Sequence, residues 1–200
     1  MPHGAAEAEA AQGKVRAAVE ALRQACPPAL ALVTSVIEVL ALRREPEETA
    51  FYSSTFPGCP GLVRLTNTHL AEASSHAIVE ALVHEAIHCI LHIHEELEAP
   101  FVNDEEASHA KVRSPWTGAT IRLQSYIHAC AVWYGIYWLW SADAFAAGPA
   151  DAEMSGLKKR ARRGFQYLPA SAGLAPFRHL VPGGVGALLQ ELEERVLRAA

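Results

Sequence analysis

Apolar residues along this chain recur first at helical spacing, then in short alternating runs, then at helical spacing again. A helix is predicted from about Gln12 to Gln24 and is ended by Pro27 and Pro28. The run Leu30 to Leu42 is rich in β-branched residues and partly alternating, so it reads as a strand. A charged turn, Arg43 to Glu48, separates it from a second strand at Thr49 to Thr55. The turn cluster Pro57-Gly58-Cys59-Pro60-Gly61 leads into a short third strand, Leu62 to Thr66. A long helix then runs from about Ser74 to Glu98, with Ser74 or Ser75 as N-cap and Pro100 as the stop.

Beyond Pro100 loops alternate with helices. Asn103 to Thr117 reads as a loop, acidic at first and ending in Arg113-Ser114-Pro115-Trp116. A long apolar helix covers about Ala119 to Ala146, and Gly148-Pro149 breaks it. A basic helix follows at roughly Ala152 to Tyr167, then a loop from Pro169 to Pro182, then an amphipathic helix from Gly184 to Leu197. The order predicts an α+β fold, mainly α, with a small antiparallel β-sheet packed against a helical core. No repeat or linker divides the chain, so residues 1–200 are expected to form one catalytic domain, with about 1–12 disordered.

The chemistry concentrates in the long middle helix, at His84-Glu85-Ala86-Ile87-His88. Two histidines four apart project from one helix face, one turn from each other, and two neutral imidazoles so placed can grip one divalent ion. Val79, Leu82, Val83, Ala86, Ile87, Ile90 and Leu91 surround them, so the helix is expected to be largely buried. Imidazoles buried among aliphatic groups need partners, and a metal ion is one such partner. Backbone carbonyls are the plainer alternative. Glu85, displaced around the helix, would act on metal-bound water or fix a neighbour.

Composition narrows the classes. The chain has 200 residues, half of them hydrophobic, which suits a domain with a sizeable core. A net charge of −5 gives no electrostatic case for nucleic acid. Cys26, Cys59, Cys89 and Cys130 form neither a CxxC pair nor a disulfide framework, which points to a reducing cytoplasm. Cys89 and Cys130 read as small buried packing residues. The Ala/Glu-rich N-terminus lacks the apolar core of a signal peptide. Tyr126 to Ala142 has a membrane-like composition, but it is short for a span and carries His128, so a buried core helix is expected and no membrane partner.

A third ligand is needed, because two histidines hold a metal weakly. His92, Glu95, His128 and more distant carboxylates are candidates. His92 extends the ladder by a turn, and three ligands on a straight helix do not readily converge, since turns are about 5.4 Å apart. His92 is therefore expected beside the metal shell or at the surface. Glu95 lies three turns from His84, too far along the axis. His128 sits in the other apolar helix, and side chains facing each other across helices about 8–10 Å apart can share an ion. Gln124 and Ser125, a turn earlier, are placed to bond a substrate or water.

Four blocks in order carry a resemblance. They are Leu82-Val83-His84-Glu85-Ala86-Ile87-His88, Arg113-Ser114-Pro115-Trp116, Ile121-Arg122 ahead of His128, and Leu180-Val181-Pro182-Gly183-Gly184-Val185 before the last helix. Together, and with Pro60-Gly61-Leu62-Val63-Arg64-Leu65 before the motif, the chain from about Val33 to Val196 resembles the HExxH proteins of gene clusters for ribosomally made, modified peptides. The resemblance implies a non-haem Fe(II) enzyme that uses 2-oxoglutarate and O₂ to hydroxylate an amino-acid residue, often at a β-carbon. It implies His84, His88 and His128 as metal ligands, with Glu85 in a supporting role. Arg122, with Arg113 as its rival, would pair with the distal carboxylate of 2-oxoglutarate, a task suited to a planar guanidinium. The substrate would be a peptide, or a free or carrier-bound amino acid.

Two other classes compete. A zinc peptidase would use Glu85 as general base on water held by Zn(II) and the same histidines. The chain lacks the longer H-E-x-x-H-x-x-G-x-x-H pattern, since Leu91 stands where that pattern has glycine. A non-catalytic interaction protein would use the histidines structurally. The aromatic residues Trp133, Tyr134, Tyr137, Trp138 and Trp140 read as core or as a homodimer interface. The run Lys158-Lys159-Arg160-Ala161-Arg162-Arg163 reads as a solvated face, with an acidic peptide or carrier as the alternative partner.

Overall fold

Pro27 and Pro28 end one helix and begin another. Helix α1 spans Ala5–Ala25, and α2 spans Pro27–Val36 with both prolines in its first turn, where a missing N–H costs nothing. The strand expected over Leu30 to Leu42 therefore survives only at its end, as β1 (Val39–Arg43). Thr34 and Ser35 turn their hydroxyls onto carbonyls of the preceding turn, at 3.0 Å to Leu30 and 2.8 Å to Leu32. Those bonds satisfy the hydroxyls within the helix, while the prolines at its start and the burial of Ala29 and Val33 at i, i+4 make an apparently β-branched run helical. The start of α1 at Ala5, rather than near Gln12, follows from its alanine content and from Glu7, which accepts the Gly4 N–H at 3.2 Å.

A computed structural model describes residues 4–98, 100–102, 107, 109–142, 145 and 151–199. The chain falls into two compact units, Met1–Ile93 and His94–Ala200. Among the described residues the fold is mainly helical, 63%, with one three-stranded and one two-stranded sheet.

In the first unit, β2 (Tyr52–Thr55) and β3 (Leu62–Thr66) fall where the alternation put them. The sheet is mixed rather than antiparallel. Central β3 pairs parallel with β1 (Val39↔Leu62) and antiparallel with β2 (Tyr52↔Thr66). Two residues shape its ends. Gly61 has φ 93°, and its carbonyl takes the N–H groups of Glu38 (3.0 Å) and Val39 (3.1 Å), which sets β1 beside β3. Asn67, buried at φ 58°, binds the 45–50 loop through its side-chain amide, accepting from Glu45 N at 2.8 Å and donating to Glu48 O at 3.0 Å. Helix α3 (Ser75–Leu97) follows.

In the second unit a two-stranded hairpin, β4 (Lys111–Arg113) and β5 (Thr120–Arg122), occupies segments expected as loop and as helix. Helix α4 accordingly runs over Leu123–Leu139, shorter at both ends than Ala119 to Ala146. It packs against α5 (Asp151–Tyr167) and α7 (Gly183–Arg198). The expected loop Pro169 to Pro182 holds α6 (Ala170–Leu174) and a 3-10 turn (Ala175–Leu180), with the buried carboxylate of Glu193 accepting the Ala170 N–H at 2.8 Å. The expected break at Gly148-Pro149, residues 103–106 and 108 of the expected loop, and residues 143–144 and 146 of the expected helix lie outside the described residues.

The aromatic stripe of α4 is mostly core: Tyr137 and Trp140 are buried, Trp133 and Tyr134 half-buried, and Trp138 is 40% exposed. The basic run on α5 is largely solvated: Lys159, Arg160 and Arg163 are exposed, and Lys158 and Arg162 are half-buried. Arg160 lies over the Trp133 ring at 5.1 Å, Lys158 over Tyr137 at 5.5 Å, and Arg162 donates to the Leu197 carbonyl at 3.4 Å. By length and apolar content the described helix that could cross a membrane is α3, not the 17-residue α4.

Candidate metal centre

Ser74 caps α3, its hydroxyl oxygen accepting the Ala77 N–H at 3.1 Å. From there the helix buries Ile78, Val79, Leu82, Val83, Ala86 and Cys89. A polar stripe runs beside this apolar face. With about 100° per residue, His84, His88, His92 and Glu95 fall within about an 80° sector. The rings of His84 and His88 stand 4.9 Å apart between centroids, and those of His88 and His92 stand 6.1 Å apart and nearly parallel. Two successive i, i+4 pairs thus share His88. Burial pushes the His84 imidazole down to about 4, so it is neutral near pH 7, the form in which imidazole ligates metals.

Glu85 points elsewhere. It lies about 100° around from His84, on the apolar side of the helix, and is only 3% exposed. Ser53 Oγ on β2 donates to its Oε1 at 2.6 Å, and Thr55 contributes its hydroxyl and backbone as further partners. Burial raises the Glu85 pKa, and these hydrogen bonds offset part of the rise. Glu85 therefore joins the motif helix to the sheet.

In the second unit His128 is buried on α4, and its Nε2 lies 3.2 Å from Glu95 Oε2. Gln124, one turn earlier on α4, donates its amide Nε2 to Glu95 Oε1 at 2.7 Å. The buried Phe101 ring meets the His128 ring edge-on at 5.7 Å and is stacked by His94 at 4.9 Å. Gln124 is thus engaged with a carboxylate, while Ser125 beside it is exposed.

Arg113 and Arg122 lie on the β4–β5 hairpin. The register pairs Arg113 with Thr120 and Lys111 with Arg122, and these four share the exposed face while Val112 and Ile121 point inward. Both arginines are therefore solvent-accessible. Arg122 takes extended geometry (φ −62°, ψ 152°) as the residue before α4, so it does not continue the helix that carries His128. The neighbouring Trp116 is an anchor. Its indole N–H donates to the Ala161 carbonyl at 3.0 Å, it stacks on Trp133 at 5.8 Å and meets Phe165 edge-on at 5.0 Å.

No protein-family model and no curated protein matches the chain. The function must therefore be read from the site. Distance along the helix from His84 sets Glu95 aside as a ligand, yet Glu95 reaches His128. The signal for its role is the i, i+3 spacing from His92, which puts both on one helix face.

Proposed function

We propose that this protein is a non-haem Fe(II) oxygenase that uses 2-oxoglutarate and O₂ to hydroxylate an amino-acid residue, at a β-carbon, in a peptide or in a free or carrier-bound amino acid. The observation that carries the proposal is the position of Glu85. A peptidase of this motif needs that carboxylate free to take a proton from water, and here it is buried against β2 with Ser53 and Thr55 as partners. An oxygenase has no such requirement. The resemblance of the chain's ordered blocks to HExxH peptide-modifying proteins points the same way.

The donor set fits the metal. Imidazoles with an adjacent carboxylate suit Fe(II), as they also suit Zn(II). The ligands come from His84, His88 and His92 on α3, with His128 from α4. His84 and His88 are the pair of the motif. His92 joins the candidates because Glu95, the partner of His128, is one turn beyond it on the same helix. When bound, iron would supply the oxidation, with 2-oxoglutarate as the source of two electrons and O₂ as the oxidant. The chain's own work is to hold neutral imidazoles, to place Arg122 or Arg113 on the distal carboxylate of 2-oxoglutarate, and to keep Glu85 as a brace.

The test is aerobic incubation with Fe(II), 2-oxoglutarate and candidate peptides or amino acids. Succinate should form in step with a product heavier by one oxygen. Cleavage of peptide with Zn(II), without 2-oxoglutarate, would overturn the proposal in favour of a peptidase.

A further inference from the structure

The sheet of the first unit has two faces of different character. On one, Val63 and Leu65 are buried, and Ser53 and Thr55 on the same side meet Glu85 of α3. The opposite face is partly exposed and has Arg64 at its centre, directly across from Ser54 on β2 and Ala41 on β1. Arg64 Nε and Ser54 Oγ are shut off from solvent, and neither makes a hydrogen bond among the described residues. Polar atoms so placed cost stability unless something bonds to them. The guanidinium carbon of Arg64 lies 5.1 Å from the centre of the Phe56 ring, which covers one flat side of the group. That contact uses the face of the guanidinium and leaves its edge, where the N–H groups point, to an acceptor. Glu45 is within electrostatic reach but is already engaged: Tyr52 donates its hydroxyl to Oε2, and Arg43 Nε stands 3.0 Å from Oε1.

We infer that this face binds an organic carboxylate, with Arg64 and Ser54 holding the carboxylate group and the apolar side chains beside them holding a short hydrocarbon portion. The Nε edge of a guanidinium presents two parallel N–H groups that match the two oxygens of a carboxylate, and the Ser54 hydroxyl supplies a third donor. Charge selects the class of anion. Arg43 and Glu45 offset each other, so Arg64 leaves one net positive charge, enough for a carboxylate and one short for a phosphate dianion. The neighbouring residues select the body of the ligand. Leu62, next to Arg64 on this face, is half-buried, and Val39, opposite Leu62 on β1, is 55% exposed, so an apolar step lies beside the cation. The site is on the side of the sheet away from Glu85, and it requires no metal.

The experiment titrates hexanoate into the full-length, ¹⁵N-labelled protein. The Arg64 Nε–H resonance locates the anion, and backbone amide shifts in β2 and β3 give the affinity in every variant. The expected result is a saturable shift at Arg64 with hexanoate, a weaker one with acetate or inorganic phosphate, and none with hexan-1-ol. Arg64→Gln should weaken hexanoate by about ten- to a hundred-fold, the scale of a lost charge-assisted pair. Arg64→Lys keeps the charge without the fork and should recover only part of that loss. Ser54→Ala should weaken binding by about three- to ten-fold, with the amide spectrum otherwise unchanged. Arg16→Gln, at an exposed position on α1, should leave binding as it is. N-acetylleucine, which ends as a peptide chain ends, is run beside hexanoate: whichever binds more tightly tells a chain terminus from a free acid, and either upholds the site. No saturable shift at Arg64, an equal response to hexan-1-ol, or equal affinity in Arg64→Gln and wild type would overturn the inference. Tighter binding of phosphate than of hexanoate would overturn the carboxylate as its ligand.

Discussion

Ser53 donates a 2.6 Å hydrogen bond to Glu85 and, with Thr55, ties the second strand to the metal-motif helix. It also sets the first prediction. Ser53→Ala leaves a buried carboxyl short of a donor, a loss of about 1–3 kcal/mol that a urea midpoint would register. Glu85→Gln keeps the shape and an acceptor, so it should retain metal and a substantial part of 2-oxoglutarate-dependent turnover. Loss of nearly all turnover with metal content unchanged would instead make Glu85 the proton acceptor of a peptidase.

How much of this was legible depends on what decides each element. Helix α3 and strand β3 were readable because their periodicity agrees with their burial: Val63 and Leu65 alternate inward, and Ile78, Leu82 and Ala86 follow the helical period. The run through Val33 and Val36 misled because β-branching suggested a strand, while two prolines at a helix start decided otherwise. The β4–β5 hairpin was missed because each strand has only three residues, and its turn depends on Gly118 at φ 72°. The closeness of the His84 and His88 rings was visible from spacing alone. The link between Glu95 and His128 was not, because it joins residues 33 positions apart that sequence spacing does not relate.

Trp116 and Gly164 make a close approach that tolerates little change. A Cβ at residue 164 would lie 1.9 Å from the indole nitrogen. Gly164→Ala must therefore displace Trp116 from its bond to Ala161, and overpacking of this kind costs roughly 1–3 kcal/mol or more. Trp116→Phe removes the donor but keeps most of the ring, so a loss of about 1 kcal/mol is expected. Chemical denaturation measures both, and a neutral Gly164→Ala would show that the indole can be accommodated elsewhere.

Arg113 and Arg122 should behave as ligand-binding residues without structural weight. Both are exposed on the hairpin, so Ala at either position should change stability by no more than about 0.5 kcal/mol. The one that pairs with 2-oxoglutarate should raise its KM by about ten-fold or more on substitution, the scale of a lost charge-assisted pair. Arg122 is the first choice. Lysine should rescue only in part, since an ammonium lacks the bidentate fork. A matching shift in both variants would mean that the cationic face acts collectively.

Burial of His84 gives the metal-free protein an acid-side weakness. Its folded pKa, about 4, lies below the ordinary 6.5, so the folded state disfavours the protonated ring. The stabilisation is complete above pH 6.5 and is lost as pH falls from 6.5 through 4. The full loss is at most about 3.5 kcal/mol, because a tenfold change in proton affinity between the folded and unfolded chain is worth about 1.4 kcal/mol. Urea midpoints at about pH 7 and about pH 4.5 should therefore differ more in wild type than in His84→Gln, which has no ring to protonate. Equal differences would place the acid sensitivity in other groups.

The histidine ladder of α3 poses a choice that substitution can settle. His88 belongs to both i, i+4 pairs, so His88→Ala should abolish tight metal binding whichever pair holds the ion, and His128→Ala should do the same. His84 and His92 then compete for the remaining place. His84 has the closer ring contact with His88, at 4.9 Å against 6.1 Å for His92. His92 is only about 4.5 Å along the axis from Glu95, whereas His84 is about 16 Å from it. Since His128 lies beside Glu95, at 3.2 Å, His92→Ala should weaken binding more than His84→Ala does. Metal content after dialysis, with Co(II) competition for affinity, ranks the variants. If His84→Ala proves the more damaging, the ion sits on the motif pair itself, and His92 is a neighbour rather than a ligand.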